Sequence, residues 1–136
     1  MATNPPHYIY FPEAVILHLE LMQWYGEIRY GVAFRELIES ALARPQQAAF
    51  YEGADLIRQA ATLCLGLVKN HPWVGGNKRT ATYITEAFLL ANGWELNASV
   101  GETVGLVLAI ESDRYKIDEI EAWFRLHTVL REIDSE

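Results

Sequence analysis

Residues 71–80 read HPWVGGNKRT, and the fold turns on how that stretch is read. Pro72 and the pair Gly75–Gly76 interrupt regular structure. On either side of them the apolar period is helical. Upstream, from about Ala54 to Asn70, Leu56, Ala60, Leu63 and Leu67 form one stripe, with Ile57, Cys64 and Val68 beside it. Downstream, from Asn77 to Asn92, Ala81, Ile84, Phe88 and Ala91 mark an inner face, and Asn92–Gly93 is a stop signal. The stretch therefore predicts a loop between two core helices, with the second helix starting at Asn77.

The rest of the chain is also helical in period. FPEAVILHLELMQWYG places Pro12 and Glu13 in a first turn and Gly26 at a stop. Its apolar residues lie all round, which predicts a well-buried helix. FRELIESALARP predicts a short second helix with Leu37, Ile38, Ala41 and Leu42 inward, ended by Pro45. The following AAFYEGADL reads as a mobile loop. Two further helices are expected, one from Glu102 to Glu111 and one from Lys116 to Ile133 with Ile117, Ile120, Phe124 and Leu130 inward. HYIYF is the one strand candidate. The expected architecture is all-α: a compact helical bundle of about six helices, in one domain over residues 1–136.

The formal net charge of -7 argues against a nucleic-acid partner, which requires a basic surface. It also makes the adjacent pair Lys78–Arg79 conspicuous. No apolar run is long enough to span a membrane, and MATNPPHYIY lacks the features of a signal peptide. Cys64 is the single cysteine, set among apolar neighbours, so it reads as a buried thiol in a cytoplasmic protein.

The turn itself has the chemistry of an anion site. Gly75 and Gly76 let a ligand approach the main chain closely. The first N–H groups of a helix lack internal partners and carry partial positive charge. Asn77 can cap the helix or donate to a phosphate oxygen. Lys78 adds a compact charge, and Arg79 a fork that fits two oxygens at once. His71, just before the turn, can take a proton from an attacking hydroxyl. The plainer reading has His71 and Asn77 as helix caps and the basic pair as a solvated face. His, Asn, Lys and Arg within nine residues of one loop-to-helix junction favour a functional site.

These residues resemble the Fic/Doc family, and within it the Doc (death-on-curing) toxin branch. The family pattern runs H-[PI]-F-x-[DEN]-[GA]-N-[KG]-R, matched in register by His71, Pro72, Gly76, Asn77, Lys78 and Arg79. Lys78 points to the Doc branch, and ESALARPQ, VKNHPW and FLLANGWEL agree. The resemblance implies an α-helical transferase fold that moves a phosphate or nucleotidyl group from a nucleotide, ATP foremost, to a protein hydroxyl on a translation-related target. It implies His71 as catalytic base, with Gly75, Gly76, Asn77, Lys78 and Arg79 as the phosphate and nucleotide site. It also implies a small antitoxin partner encoded nearby. The [ST]-x-x-x-E-[GN] inhibitory motif is not found. A homodimer is a minority expectation, from apolar residues in the C-terminal segment.

Three positions depart from the pattern. Gly75 stands where relatives carry the acid that helps hold magnesium, so no residue is assigned as a metal ligand and Mg2+ itself is doubtful. If that loss limits activity, Gly75→Asp should restore it. Glu52 or an acid from a distant loop is a candidate substitute, donor phosphates and water could also hold the ion alone, and Glu86 is too far along its helix. Trp73 replaces a phenylalanine, as a core anchor of the loop. Ala33 and Phe34 replace a charged pair, for packing or for a partner surface. Two classes therefore stay open: an active transferase with an unusual metal site, or a weakened relative that binds a nucleotide, another phosphate ligand or a protein without transfer.

Overall fold

The structure is a computed structural model and describes residues 5–131. At its centre lies the helix that runs into the turn. We number the elements along the chain: α1 (Phe11–Tyr25), α2 (Arg35–Glu52), α3 (Leu56–Asn70), α4 (Asn77–Ala91), β1 (Trp94–Leu96), α5 (Val100–Glu111), α6 (Ile117–His127) and β2 (Thr128–Leu130). The central α3 packs against α2, α4, α5 and α6. Asp55 starts it by accepting the Arg58 N–H at 3.0 Å. Ile57, Ala60, Ala61, Leu63, Cys64, Leu67 and Val68 are all buried. Small residues let the neighbours come close: a Cβ on Gly66 would stand 3.1 Å from that of Ala41. Burial pushes the Cys64 thiol up to about 12, as expected of an inert structural cysteine.

Three sequence expectations change. The first helix is a surface helix: α1 buries only Ala14, His18 and Met22, a single i, i+4, i+8 stripe, and leaves Ile16, Leu19 and Trp24 exposed. Its apolar residues outnumber the positions that face a neighbour. Second, α2 does not end at Pro45 but continues to Glu52, and Gly53 closes it in a left-handed conformation. A proline inside a helix costs roughly 3 kcal/mol or more. Burial of Ile38, Ala41, Leu42, Pro45 and Ala48 offsets that cost. The stretch read as a mobile loop is thus mostly helix.

Third, the last helix stops at His127, and Thr128–Leu130 pairs with Trp94–Leu96 as a two-stranded antiparallel sheet. Leu130 faces outward as a result. Ile133, the expected end of that helix, lies outside the described residues. HYIYF forms no strand: Tyr8 to Tyr10 lead into α1, with Ile9 in the core. Leu37 and Ala91, read as inward, lie near the edges of their helices and are exposed.

Candidate active site

The junction between α3 and α4 has an inner and an outer face. The inner face is strapped to the segment that follows α1. Pro72 C=O accepts the N–H groups of both Ala33 and Phe34 at 3.0 Å, and Val74 N–H donates to Gly31 C=O at 2.8 Å. Val32 and Trp73 form an isolated antiparallel bridge. The Trp73 side chain is buried, as its reading as an anchor requires, and stacks on His18 with ring centres 4.1 Å apart. Its indole N–H has no partner among the described residues, a penalty that the ring's burial and stacking offset.

Asn77 serves this inner face. Its side-chain oxygen accepts the Trp73 N–H and its amide donates to the Trp73 C=O, both at 2.9 Å. The residue is buried. The sequence offered the Asn77 side chain as a helix cap or a phosphate donor. It is not the cap, and both ends of its amide are engaged by Trp73. Gly76 is the N-cap, in a left-handed conformation at φ 68°, and no side chain caps α4. The leading N–H groups of the helix are therefore free of side-chain caps, as an anion cradle requires.

His18 was missed by the sequence reading, because an isolated histidine on an apolar helix carries no motif. It is fully buried. Its Nε2 accepts the Gly31 N–H at 2.9 Å, so Nδ1 carries the proton and donates to Thr80 Oγ1 at 2.8 Å. One neutral imidazole thus joins α1, the strap and α4 behind the turn. Burial lowers its pKa to about 4, which keeps it neutral near neutral pH.

The glycines are forced by their neighbours. A Cβ on Gly75 would lie 2.5 Å from the Arg29 carbonyl oxygen, and one on Gly76 would lie 2.5 Å from Met22 Sδ. The first contact is with main chain and cannot be relieved by a rotamer. The expectation that Gly75→Asp would simply restore an acid is therefore corrected: the Arg29 carbonyl occupies the space that such a side chain needs. Glu52 is no substitute either. It pairs with Arg58 at 3.2 Å, in the first turn of α3. At 1.5 Å per residue that is roughly 20 Å from His71.

The outer face is open. His71 terminates α3 in a left-handed conformation at φ 49°, rare for a residue with a side chain. Its imidazole is 58% exposed. Lys78 and Arg79 are similarly exposed. Each cation meets a carboxylate from elsewhere in the chain. Arg79 pairs with Glu27 at 3.2 Å and lies 4.0 Å over the Tyr25 ring. Lys78 pairs with Glu111 at 3.5 Å, and the other Glu111 oxygen is 3.7 Å from His71 Nε2. Exposed ion pairs contribute about 0–1 kcal/mol each. A polyphosphate displacing them would face only that small cost. Neither carboxylate was foreseen, since Glu27 and Glu111 are distant in sequence.

Among the described residues a magnesium ion would have to be held by one or two carboxylates together with donor phosphates and water. Gly75 offers no ligand, and no group of three or more His, Cys, Asp or Glu side chains is placed to bind a metal among them. No helix among the described residues is long and apolar enough to cross a membrane.

The site is thus an exposed histidine beside a basic helix start without a side-chain cap, on a mostly helical domain. The family comparison is definite: residues 9–89 match the Fic/DOC family model, and the chain belongs to that family. It is 42% identical over 81 residues to Toxin Doc of Mycolicibacterium smegmatis, a match spanning 54% of this chain and 61% of that protein. The structure is similar to the crystal structure of BepC, a VirB-translocated effector of Bartonella tribocorum with AMPPNP bound, at a TM-score of 0.61 over 96% of this chain and 79% of BepC. At 15% identity that likeness concerns the fold alone.

Proposed function

We propose that this protein is a Doc-like toxin that transfers a phosphate or nucleotidyl group from a nucleotide, ATP first among candidates, to a hydroxyl of a protein, and that a small antitoxin protein restrains it in the cytoplasm. The observation that carries the reading is the outer face of the turn. A strained, exposed His71 stands beside the main-chain amides of Gly75 to Arg79 at a helix start without a side-chain cap. A pure anion binder gains little from a base held there. Membership of the Fic/DOC family and the likeness to a Doc toxin support the same reading.

In this account the helix start and the Lys78 and Arg79 cations hold the donor phosphates. The Asn77 amide shapes the turn from behind. His71 removes the proton from the acceptor hydroxyl as its oxygen attacks phosphorus. The new P–O bond replaces the one to the leaving group, a nucleoside diphosphate in phosphoryl transfer or pyrophosphate in nucleotidyl transfer. The positive groups offset charge building on the transferred group.

The sealed position at Gly75 favours a second reading, in which the turn binds a nucleotide without transfer. Incubation with labelled ATP and cytoplasmic extract, with and without magnesium, separates the two. The enzyme reading expects label on a protein, lost in His71→Ala. Nucleotide binding without label from any donor would favour the binder.

A further inference from the structure

One carboxylate from outside the turn reaches the rim of the site beside His71. Glu111, the last residue of α5, reaches the rim from the opposite direction in sequence. Its two oxygens stand 3.7 Å from His71 Nε2 and 3.5 Å from Lys78 Nζ. Its position is fixed by the turn after α5. There Arg114 and Tyr115 N–H groups both donate to Ala109 C=O, and Asp113, itself left-handed, pairs with Lys69 of α3. The last turn of α3, which sets His71, is thereby tied to the end of α5, which sets Glu111. The Glu111 side chain is 28% exposed, less than either partner.

We infer that Glu111 is a positioning residue of this site: from 3.7 Å, beyond hydrogen-bond range in the unliganded chain, it closes on His71 Nε2 when the site is occupied, orients the imidazole and leaves Nδ1 to meet the acceptor hydroxyl. This rests on the proposed transferase reading. When the hydroxyl O–H bond breaks, the proton goes to His71 Nδ1, the Nε2–H stays directed at the carboxylate, and Glu111 remains ionised. A carboxylate behind an imidazole selects the tautomer and steadies the imidazolium that forms. Until a donor phosphate takes Lys78, that side chain holds the other oxygen at ion-pair range. Glu111 touches neither donor nor acceptor here and acts through His71.

The test uses the whole chain with Glu111→Ala and the isosteric Glu111→Gln. Nitrogen-15 NMR of the histidine rings, with His71 assigned by its loss in His71→Asn, reads the tautomer at alkaline pH. The wild type should show His71 mainly as the Nε2–H form. Glu111→Ala should fall back to the smaller Nε2–H excess of a free imidazole, and Glu111→Gln should lie between through its remaining acceptor oxygen. An unchanged His71 tautomer in Glu111→Ala would overturn the inference, whether or not transfer is ever observed. With His71-dependent labelling in hand, Glu111→Ala should lower kcat by about tenfold or more with little change in KM for ATP, and Glu111→Gln should fall between. Equal kcat in all three would also overturn it. Absence of labelling in the wild type would count against the transferase reading and leave the tautomer result to decide the positioning role.

Discussion

The two sides of the turn between α3 and α4 are built on opposite terms. The inner side is buried and, apart from the Trp73 indole N–H, engaged: Trp73 is stacked on His18, Asn77 is bonded at both ends to the Trp73 main chain, and the Arg29 carbonyl closes over Gly75. The outer side is wet and loosely held. His71, Lys78 and Arg79 are each more than half exposed and meet carboxylates at ion-pair range, Arg79 also lying over the face of Tyr25. The difference teaches where stability and chemistry reside. Buried, paired polar groups are costly to disturb, whereas exposed ion pairs are cheap to exchange for a ligand. One side fixes the shape so that the other can trade partners.

That contrast can be broken by substitution. Asn77→Ala should give the largest effect. It leaves the Trp73 N–H and C=O without partners, at about 1–3 kcal/mol for each unmet group. A urea melt should show a loss of about 3 kcal/mol, against less than roughly 0.5 kcal/mol for Lys78→Ala on the outer face. Equal losses would erase the distinction between the two faces.

Acid should discriminate almost as strongly. Buried His18 titrates near 4 in the fold and near 6.5 when unfolded. Above pH 6.5 both states are neutral and the full contribution is present. As pH falls from about 6.5 to about 4, the unfolded chain takes up a proton that the folded one refuses, and stability drops by on the order of 3 kcal/mol. Denaturant melts at stepped pH should show this slope, and His18→Gln should flatten it. A slope that survives in His18→Gln would assign it to other groups.

Gly75→Asp comes next. Forcing a side chain against the Arg29 carbonyl should cost about 1–3 kcal/mol in stability. Calorimetry with magnesium should find no gain in affinity. A variant as stable as wild type that now binds the ion would show that the strap yields. The smallest effect belongs to Glu27→Gln, which releases Arg79 from its ion pair. Its stability should move by less than roughly 0.5 kcal/mol, while ATP binding should tighten up to a few-fold. Weaker binding in that variant would mean that Glu27 helps to hold the ligand.

The helices were legible because their stripes repeat over many residues, and the turn because its glycines, basic pair and histidine are adjacent in sequence. What escaped depends on long-range placement. Pro45 looks like a helix end until α3 is seen to bury the helix on both sides of it. The short pairing of Trp94–Leu96 with Thr128–Leu130 joins segments more than thirty residues apart. His18, Glu27 and Glu111 reach the turn from other elements, and no local pattern announces them. Asn77 was read as a helix cap or a phosphate donor, because spacing cannot tell that its amide turns to the Trp73 main chain. Gly75 looked like a lost ligand, and only the Arg29 carbonyl shows that no side chain fits.

The account rests on the outer face of the turn gripping phosphate through main-chain amides beside His71. The most direct measurement is an amide and histidine-ring NMR titration of the whole chain with a non-hydrolysable ATP analogue. The account predicts that shifts concentrate at the N–H groups of Gly75 to Arg79 and at the His71 ring, with the Trp73 indole and the His18 ring little changed. Saturable binding that leaves those five amides unmoved, or no binding at all, would contradict it.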